Sequence, residues 1–133
     1  MITETVKYSH NGFVASVTVS EANGIIGTRR SRLRALAVAE MRLAFSANGH
    51  ELTDDTPLND EWILRVITYP NLIAPVTAID IGGDTTLPDV RRFSEDLPEQ
   101  FLIEWEEAVH RINPHWWGER DEAEAKKEPT PST

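Results

Sequence analysis

The side chains that could perform catalysis are few and poorly spaced for it. The chain has four histidines and no cysteine, so thiol catalysis, disulfides and zinc–thiolate sites are excluded. His110 and His115 are separated by Pro114 and do not share the helical face that a zinc-binding histidine pair requires. The serine nucleophile motifs GxSxG and SxxK are both missing. We therefore expect no catalytic residues, no metal site and no cofactor, and a protein that is not an enzyme.

Two acidic segments and one glycine-containing segment have residue types that could bind ions. Asp54-Asp55 and the segment 80–84 lack the ligand spacing of a twelve-residue calcium loop. Aspartate beside glycine ordinarily bonds the local backbone in a turn. Segment 24–30 precedes a helix, but it has neither the spacing nor the lysine of a phosphate-binding loop. We interpret all three segments as turns and loops.

The residues that stand out as candidate contacts with a partner are basic and aromatic. Arg29, Arg30, Arg32 and Arg34 form the one dense basic cluster of the sequence. They either pair with the protein's own acids or form an interface with an acidic partner or a second copy. Trp116 and Trp117 follow a helix stop, and tryptophan is enriched at binding hot spots. They either fold back to cap the core or contact a partner.

Length, charge and hydropathy narrow the class of protein. The chain has 133 residues and a mass of 15.0 kDa, which is sufficient for one domain. Its net charge of −9 argues against nucleic-acid binding, because phosphate contacts require an excess of lysine and arginine. No apolar run approaches the roughly 20 residues of a membrane span. We expect a soluble protein with no nucleic-acid or membrane partner.

The N-terminal half must position the basic cluster. Residues 2–8 and 13–19 alternate between apolar and polar and flank His10-Asn11-Gly12, a pattern that predicts a β-hairpin. Residues 21–28 predict a loop with an optional short strand. Residues 30–47 predict a helix that ends at Asn48-Gly49. Its predicted buried face comprises Leu33, Leu36, Ala37, Met41, Ala44 and Phe45.

The C-terminal half must position the two tryptophans. Thr56-Pro57 predicts the start of a helix that Pro70 ends. Residues 71–81, interrupted by Pro75, predict an edge strand or an ordered loop. A short helix is predicted over 88–96, and a longer one from Leu97 or Pro98 to Asn113. The apolar stripe of the longer helix comprises Leu97, Phe101, Trp105, Ala108, Val109 and Ile112.

Together these elements predict an α+β fold. We expect an N-terminal hairpin, with a third edge strand near residues 72–80 as an option, packed against three or four helices. Trp62 and Trp105 are expected in the core. Residues 1–118 are predicted to form a single domain. Residues 119–133 contain no apolar side chain larger than alanine and predict a disordered charged tail.

The later part of the chain resembles a known family. The segment Glu61–Ala74, the run Leu97-Pro98-Glu99-Gln100-Phe101 and the ending Asn113-Pro114-His115-Trp116 are similar to segments of tail assembly chaperones of long-tailed, siphovirus-type bacteriophages. The resemblance covers roughly residues 58–117 and is one of pattern, without an invariant catalytic motif. It implies no catalytic residues and transfers no site residue.

The resemblance implies a function in the host cytoplasm. Such chaperones bind the long helical tape measure protein before the tail tube assembles around it, and they are generally absent from the finished virion. The expected partners are the tape measure protein, the tail tube protein as a further candidate, and other copies of this chain. One alternative is a structural tail or head–tail connector protein retained in the virion. Another is a small hydrolase, which scattered histidines and aspartates alone support.

Overall fold

The computed structural model describes residues 1–47, 49 and 60–117, and its secondary structure is of the α+β class. The predicted fold class is confirmed. Three strands form one antiparallel sheet, with the second strand of the chain in the middle. The elements are β1 (Thr3–His10), β2 (Phe13–Ser20), α1 (Gly24–Ala47), α2 (Asp60–Trp62), a π-helical segment (Ile63–Thr68), α3 (Tyr69–Ile73), β3 (Val76–Ile81), α4 (Val90–Glu95), α5 (Glu99–Ile112) and a 3₁₀ turn (Pro114–Trp117).

The predicted hairpin is confirmed, and a third strand joins it. Asn11 and Gly12 take positive φ angles of 50° and 82° at its turn, which both residue types tolerate. In the register of the hairpin, Val6 lies opposite Val17. β3 pairs with the other side of β2, so the optional third strand near 72–80 exists at 76–81. Alternate residues of β2, Ala15, Val17 and Val19, face the core.

α5 covers the inner face of this sheet, as its apolar stripe predicts. Pro98 precedes its first turn, and the helix ends at Asn113. Trp105 is fully buried, and its indole Nε1–H donates a hydrogen bond of 3.1 Å to the Leu72 carbonyl. The core placement of Trp105 is confirmed. Trp62 is half-buried and packs on a smaller cluster formed by α1 and the π-helical segment.

α1 begins earlier than the sequence predicts. Residues 21–28 were expected to form a loop, but the helix starts at Gly24, so that expectation is wrong. The Asn23 side chain accepts a hydrogen bond of 2.9 Å from the Ile26 backbone N–H and satisfies a donor at the helix start. The two glycines at 24 and 27 cost about 1 kcal/mol each relative to alanine. Burial of Ile26 in the main core offsets that cost.

The helix before Pro70 does not end there, contrary to expectation. Pro70 lies in the first turn of α3 and the helical path continues to Ile73. The turns before it are π-helical, and the Tyr69 backbone N–H donates to the Leu64 carbonyl five residues earlier. Pro70 occupies one of the first positions of α3, where a helix tolerates proline because the missing N–H is not needed there.

Some of the remaining predictions are confirmed, and others concern residues that the structure does not describe. The short helix within 88–96 is confirmed at Val90–Glu95, where the Asp89 carboxylate accepts a hydrogen bond from the Arg92 backbone N–H. The predicted stop of α1 is confirmed, because the helix ends at Ala47 and Gly49 takes a positive φ of 77°. The helix start at Thr56-Pro57, Asn48 itself and the tail at 119–133 lie outside the described residues. The single domain at 1–118 stays a prediction.

Candidate protein-binding surface

The four arginines of the basic cluster point in two directions. α1 turns by about 100° per residue, so Arg30 and Arg34 lie toward the body of the protein and are half-buried. Arg29 and Arg32 are exposed, although the Arg29 guanidinium reaches back to the body of the protein and donates a hydrogen bond to the Ala74 carbonyl. The position of each arginine around the helix therefore divides the cluster into a half-buried pair and an exposed pair.

Arg30 has a structural role that involves Trp116. Its guanidinium Nε–H donates a hydrogen bond of 2.6 Å to the Asn71 Oδ1, and its guanidinium carbon lies 4.8 Å from the centroid of the Trp116 ring. Asn71 is fully buried, and Trp116 is 4% exposed. A cation over an indole face is favourable when both are shielded from water. Of the two roles considered for Trp116, the structure therefore places it as a cap on the core.

Asn113 fixes the chain just before Trp116. Its side chain is fully buried, accepts a hydrogen bond of 2.8 Å from the Ala22 backbone N–H, and donates one of 3.1 Å to the Ser20 carbonyl. These bonds tie the end of α5 to the connection between β2 and α1. The Asn113–Trp116 segment thus holds α1 against the core. The contact predicted for the side chain of Trp117 lies outside the described residues.

The outer side of α1 carries an aligned row of exposed side chains, which we call the α1 stripe. Three of its apolar members are largely exposed: Ile25 by 72%, Leu36 by 58% and Leu43 by 72%. Arg29, Arg32 and Glu40 lie between them and are also exposed. Residues 25 to 43 span about 27 Å of helix. The stripe is therefore an extended surface in which apolar anchors alternate with charges.

A shallow groove of about 770 Å³ follows the first half of this stripe. Its lining includes Ile25, Arg29, Arg32 and Leu36. Within the described residues, the one hydrogen bond recorded for the Arg29 side chain is a 3.0 Å bond from Nη1 to the Ala74 carbonyl. No ion pair is recorded there for Arg32. The groove thus offers the guanidinium of Arg32, and that of Arg29 with one N–H bonded to the Ala74 carbonyl, beside apolar surface.

The stripe corrects one sequence prediction and supplies residues that the sequence analysis missed. Leu36 and Ala44 are predicted on the buried face, but both are exposed, and the buried residues of α1 are Ile26, Ala37 and Met41. The missed residues are Ile25, Glu40 and Leu43. Apolar side chains recur on both sides of this helix, and a helix with two apolar faces has more than its own core to contact. That signal was readable in the sequence.

The other candidate chemistry shows local hydrogen bonding. The Asp80 carboxylate accepts a 2.8 Å hydrogen bond from the Gly83 backbone N–H, and Asp84 accepts one of 2.9 Å from that of Thr86. The interpretation of this segment as a turn is confirmed. Over residues 1–47, 49 and 60–117, no three histidine or acidic side chains converge as metal ligands. His50 and Asp54-Asp55 lie outside those ranges.

A second exposed surface lies on the outer face of the sheet. A groove of about 410 Å³ there is lined by polar and small residues together with Val14, which is 57% exposed. Thr5 and Thr18 join neighbouring strands on this face through a 2.8 Å bond between their hydroxyl oxygens. In contrast to the α1 stripe, this face presents one large apolar side chain among hydroxyl groups.

Comparison of the chain with protein-family models, curated proteins and solved structures found no match. A search for bilayer-spanning helices in the described part of the chain also found none with the required length and hydropathy. The geometry of the described surfaces therefore provides the basis for a functional proposal.

Proposed function

We propose that this protein is a non-enzymatic tail assembly chaperone of a long-tailed bacteriophage that keeps the tape measure protein soluble during assembly. The α1 stripe is the surface that contacts the client. The observation that carries the proposal is the exposure of Ile25, Leu36 and Leu43 in one row on a helix that is anchored to the core from its other side.

The chemistry of the stripe suits a helical client. An amphipathic helix lays its apolar face against a complementary apolar surface through residues three, four and seven apart. The members of the stripe repeat at that spacing. The aliphatic stem of Arg32 extends its apolar area while the head group remains in water, and the stem of Arg29 extends it while one guanidinium N–H bonds the Ala74 carbonyl. A client helix with acidic residues beside its apolar face would match both features.

The charge distribution favours the same assignment. α1 carries five arginines and one glutamate, although the whole chain has a net charge of −9. A basic helix on an acidic protein attracts an acidic segment locally, while the remaining charge repels other particles and limits aggregation. Both properties are useful to a protein that covers an aggregation-prone partner.

Co-expression with the proposed client, a phage tape measure protein, tests the proposal. We expect the soluble fraction of the tape measure protein to rise and the two proteins to co-elute. The double variant Leu36→Asp/Leu43→Asp should abolish both effects, because it places carboxylates at two apolar anchors. Val14→Asp is the control, to be compared with the single variant Leu36→Asp, since it puts one carboxylate at an apolar position on the sheet that is as exposed as Leu36; it should retain both effects.

Three outcomes would overturn parts of this proposal. Absence of rescue by the folded wild-type protein would reject the chaperone function. Rescue that Val14→Asp abolishes and the α1 variant retains would move the client surface to the sheet. A stoichiometric amount of this protein in purified virions would instead favour the structural tail or connector alternative.

A further inference from the structure

The charges of the α1 stripe are distributed unevenly along the helix. Arg29 and Arg32 lie in its first half, and Glu40 lies in its second half. Two such stripes placed face to face in opposite directions would set the basic half of one against the acidic position of the other. The same stripes placed in parallel would oppose arginine to arginine, which is unfavourable.

One antiparallel register pairs opposite charges with each other and also brings apolar side chains into contact. With Leu36 on the two-fold axis, Arg32 lies level with Glu40 of the second copy, because each is four residues, or about 6 Å, from the axis. Arg29 lies level with Leu43 of the second copy and within a turn of its Glu40. The two Arg32 side chains are then about 12 Å apart along the helices. Leu36 meets its own equivalent.

Small residues allow the helices to approach in this register. Ala39 and Ala47 lie on the stripe beside the leucines and are exposed, and Ile25 comes level with Ala47 of the second copy. Helix pairs pack with axes 8–10 Å apart when the side chains at the contact permit it. An interface of this kind is isologous, so it closes after two copies.

We infer that the α1 stripe is a self-association surface, on which two copies pair antiparallel about Leu36 with Arg32 of each copy bonded to Glu40 of the other. Two helices bury less surface than a standard stable interface, so the dimer forms in a concentration-dependent manner. The pairing goes beyond the proposed function. The client and the second copy occupy the same α1 stripe, so binding of one excludes binding of the other.

Cysteine cross-linking tests the register in a chain that contains no cysteine of its own. At an axial distance of 8–10 Å, inward-facing Cα atoms approach to about 3.5–5.5 Å, and the upper part of that range is one that a disulfide spans. Leu36→Cys should therefore give a disulfide-linked dimer on mild oxidation. Ile25→Cys is the matched control: its two copies would lie about 33 Å apart and should remain monomeric under the same conditions.

Charge reversal tests the ion pairs independently. Arg32→Glu alone and Glu40→Arg alone should each weaken dimerisation about tenfold or more in sedimentation velocity measurements, because each change turns two attractions into repulsions. The combined variant Arg32→Glu/Glu40→Arg restores opposite charges and should recover the wild-type affinity. Circular dichroism checks that each variant is folded, and both residues are exposed.

The inference is overturned by a wild-type protein that stays monomeric at high concentration, by equal cross-linking of both cysteine variants, or by a combined charge variant that remains as weak as the singles. These measurements use the isolated protein. A monomer that still rescues the tape measure protein would refute the self-pairing and leave the proposed function standing.

Discussion

Replacement of Trp105 by alanine is expected to be the most damaging single change in the described core. The indole is fully buried, its Nε1–H donates to the Leu72 carbonyl, and its ring packs edge-on against Phe93 at a centroid distance of 5.6 Å. On its other side it contacts Phe101 at 5.7 Å. One side chain thus joins α5, α4 and the end of α3.

The expected loss is about 4–6 kcal/mol of unfolding free energy. Deletion of a buried tryptophan to alanine costs roughly 3–5 kcal/mol through lost transfer energy and the cavity that remains. The Leu72 carbonyl loses its donor, which adds on the order of 1 kcal/mol. Trp105→Phe keeps most of the ring and removes the donor, so its expected cost is smaller, about 1–3 kcal/mol.

Urea unfolding followed by circular dichroism measures both losses. A domain of this size is stabilised by only about 5–15 kcal/mol, so the phenylalanine variant provides the value if the alanine variant is too unstable to analyse. Gln100→Ala, at an exposed position of α5, is the control and should change stability by less than about 0.5 kcal/mol. An alanine variant within 1 kcal/mol of the wild type would refute the core assignment.

Three further predictions concern polar groups. Arg30→Met should cost about 1–3 kcal/mol, because the buried amide that it bonds loses its donor, whereas Arg32→Met should change stability by less than about 0.5 kcal/mol in the same urea assay. Asn113→Asp should be least stable at neutral pH and recover on acidification, because burial raises the pKa of the introduced carboxyl; thermal melts between about pH 4 and pH 8 measure this. The pKa of Asp84 is lowered to about 2, first by hydrogen bonds from the backbone N–H and the hydroxyl of Thr86 and then by Arg92. The contribution of the Asp84 carboxylate to stability is therefore present above the ordinary aspartate pKa and is lost as the pH falls through about 2. An NMR titration should show that midpoint, and Thr86→Ala should raise it.

Specific results would contradict each of these. Equal losses of unfolding free energy in Arg30→Met and Arg32→Met would mean that the two arginines do not differ in their contact with the core. A flat pH dependence of the aspartate variant would mean that position 113 is accessible to water. An unchanged midpoint in the threonine variant would leave the backbone N–H and the arginine as the sole causes of the shift.

The elements that the sequence predicted well are those in which local and long-range signals agree. The hairpin combines alternation with an Asn-Gly turn, and both residues take positive φ. α5 combines an apolar stripe with a proline before it and Asn113-Pro114 after it. In these segments each residue favours the same structure, so the pattern alone was sufficient.

The predictions failed where tertiary structure overrides a local preference. Glycines at 24 and 27 favour a loop, but a side-chain cap at Asn23 and burial of Ile26 extend the helix through them. A proline in this context ordinarily stops a helix, but Pro70 lies in the first turn of α3 after a π-helical segment, and the helical path continues through it. The residue spacing of a single sequence indicates neither the side-chain cap at Asn23 nor the π-helical segment before Pro70.

The residues of the candidate site could be predicted in part from the sequence, but their orientation on α1 could not. The sequence identified the arginines of α1, but only the structure shows that Arg29 and Arg32 are exposed while Arg30 and Arg34 are half-buried. The phase of a helix that is apolar on two sides cannot be assigned from its own residues, because either face could be the buried one. The contact of Arg30 with Trp116 settles the phase.

The smaller hydrophobic cluster has a consequence for hydrogen exchange. The second half of α1 is held by Ala37 and Met41 against Ile63, Val66 and Ile67, whereas its first turn belongs to the main core through Ile26. Regions with few buried apolar side chains open at lower free energy than the rest of a protein. The backbone amides around Leu43 should therefore exchange with solvent through partial openings, while those of the sheet exchange only on global unfolding. Half of the α1 stripe thus lies on a helix segment that can separate from the body without unfolding it.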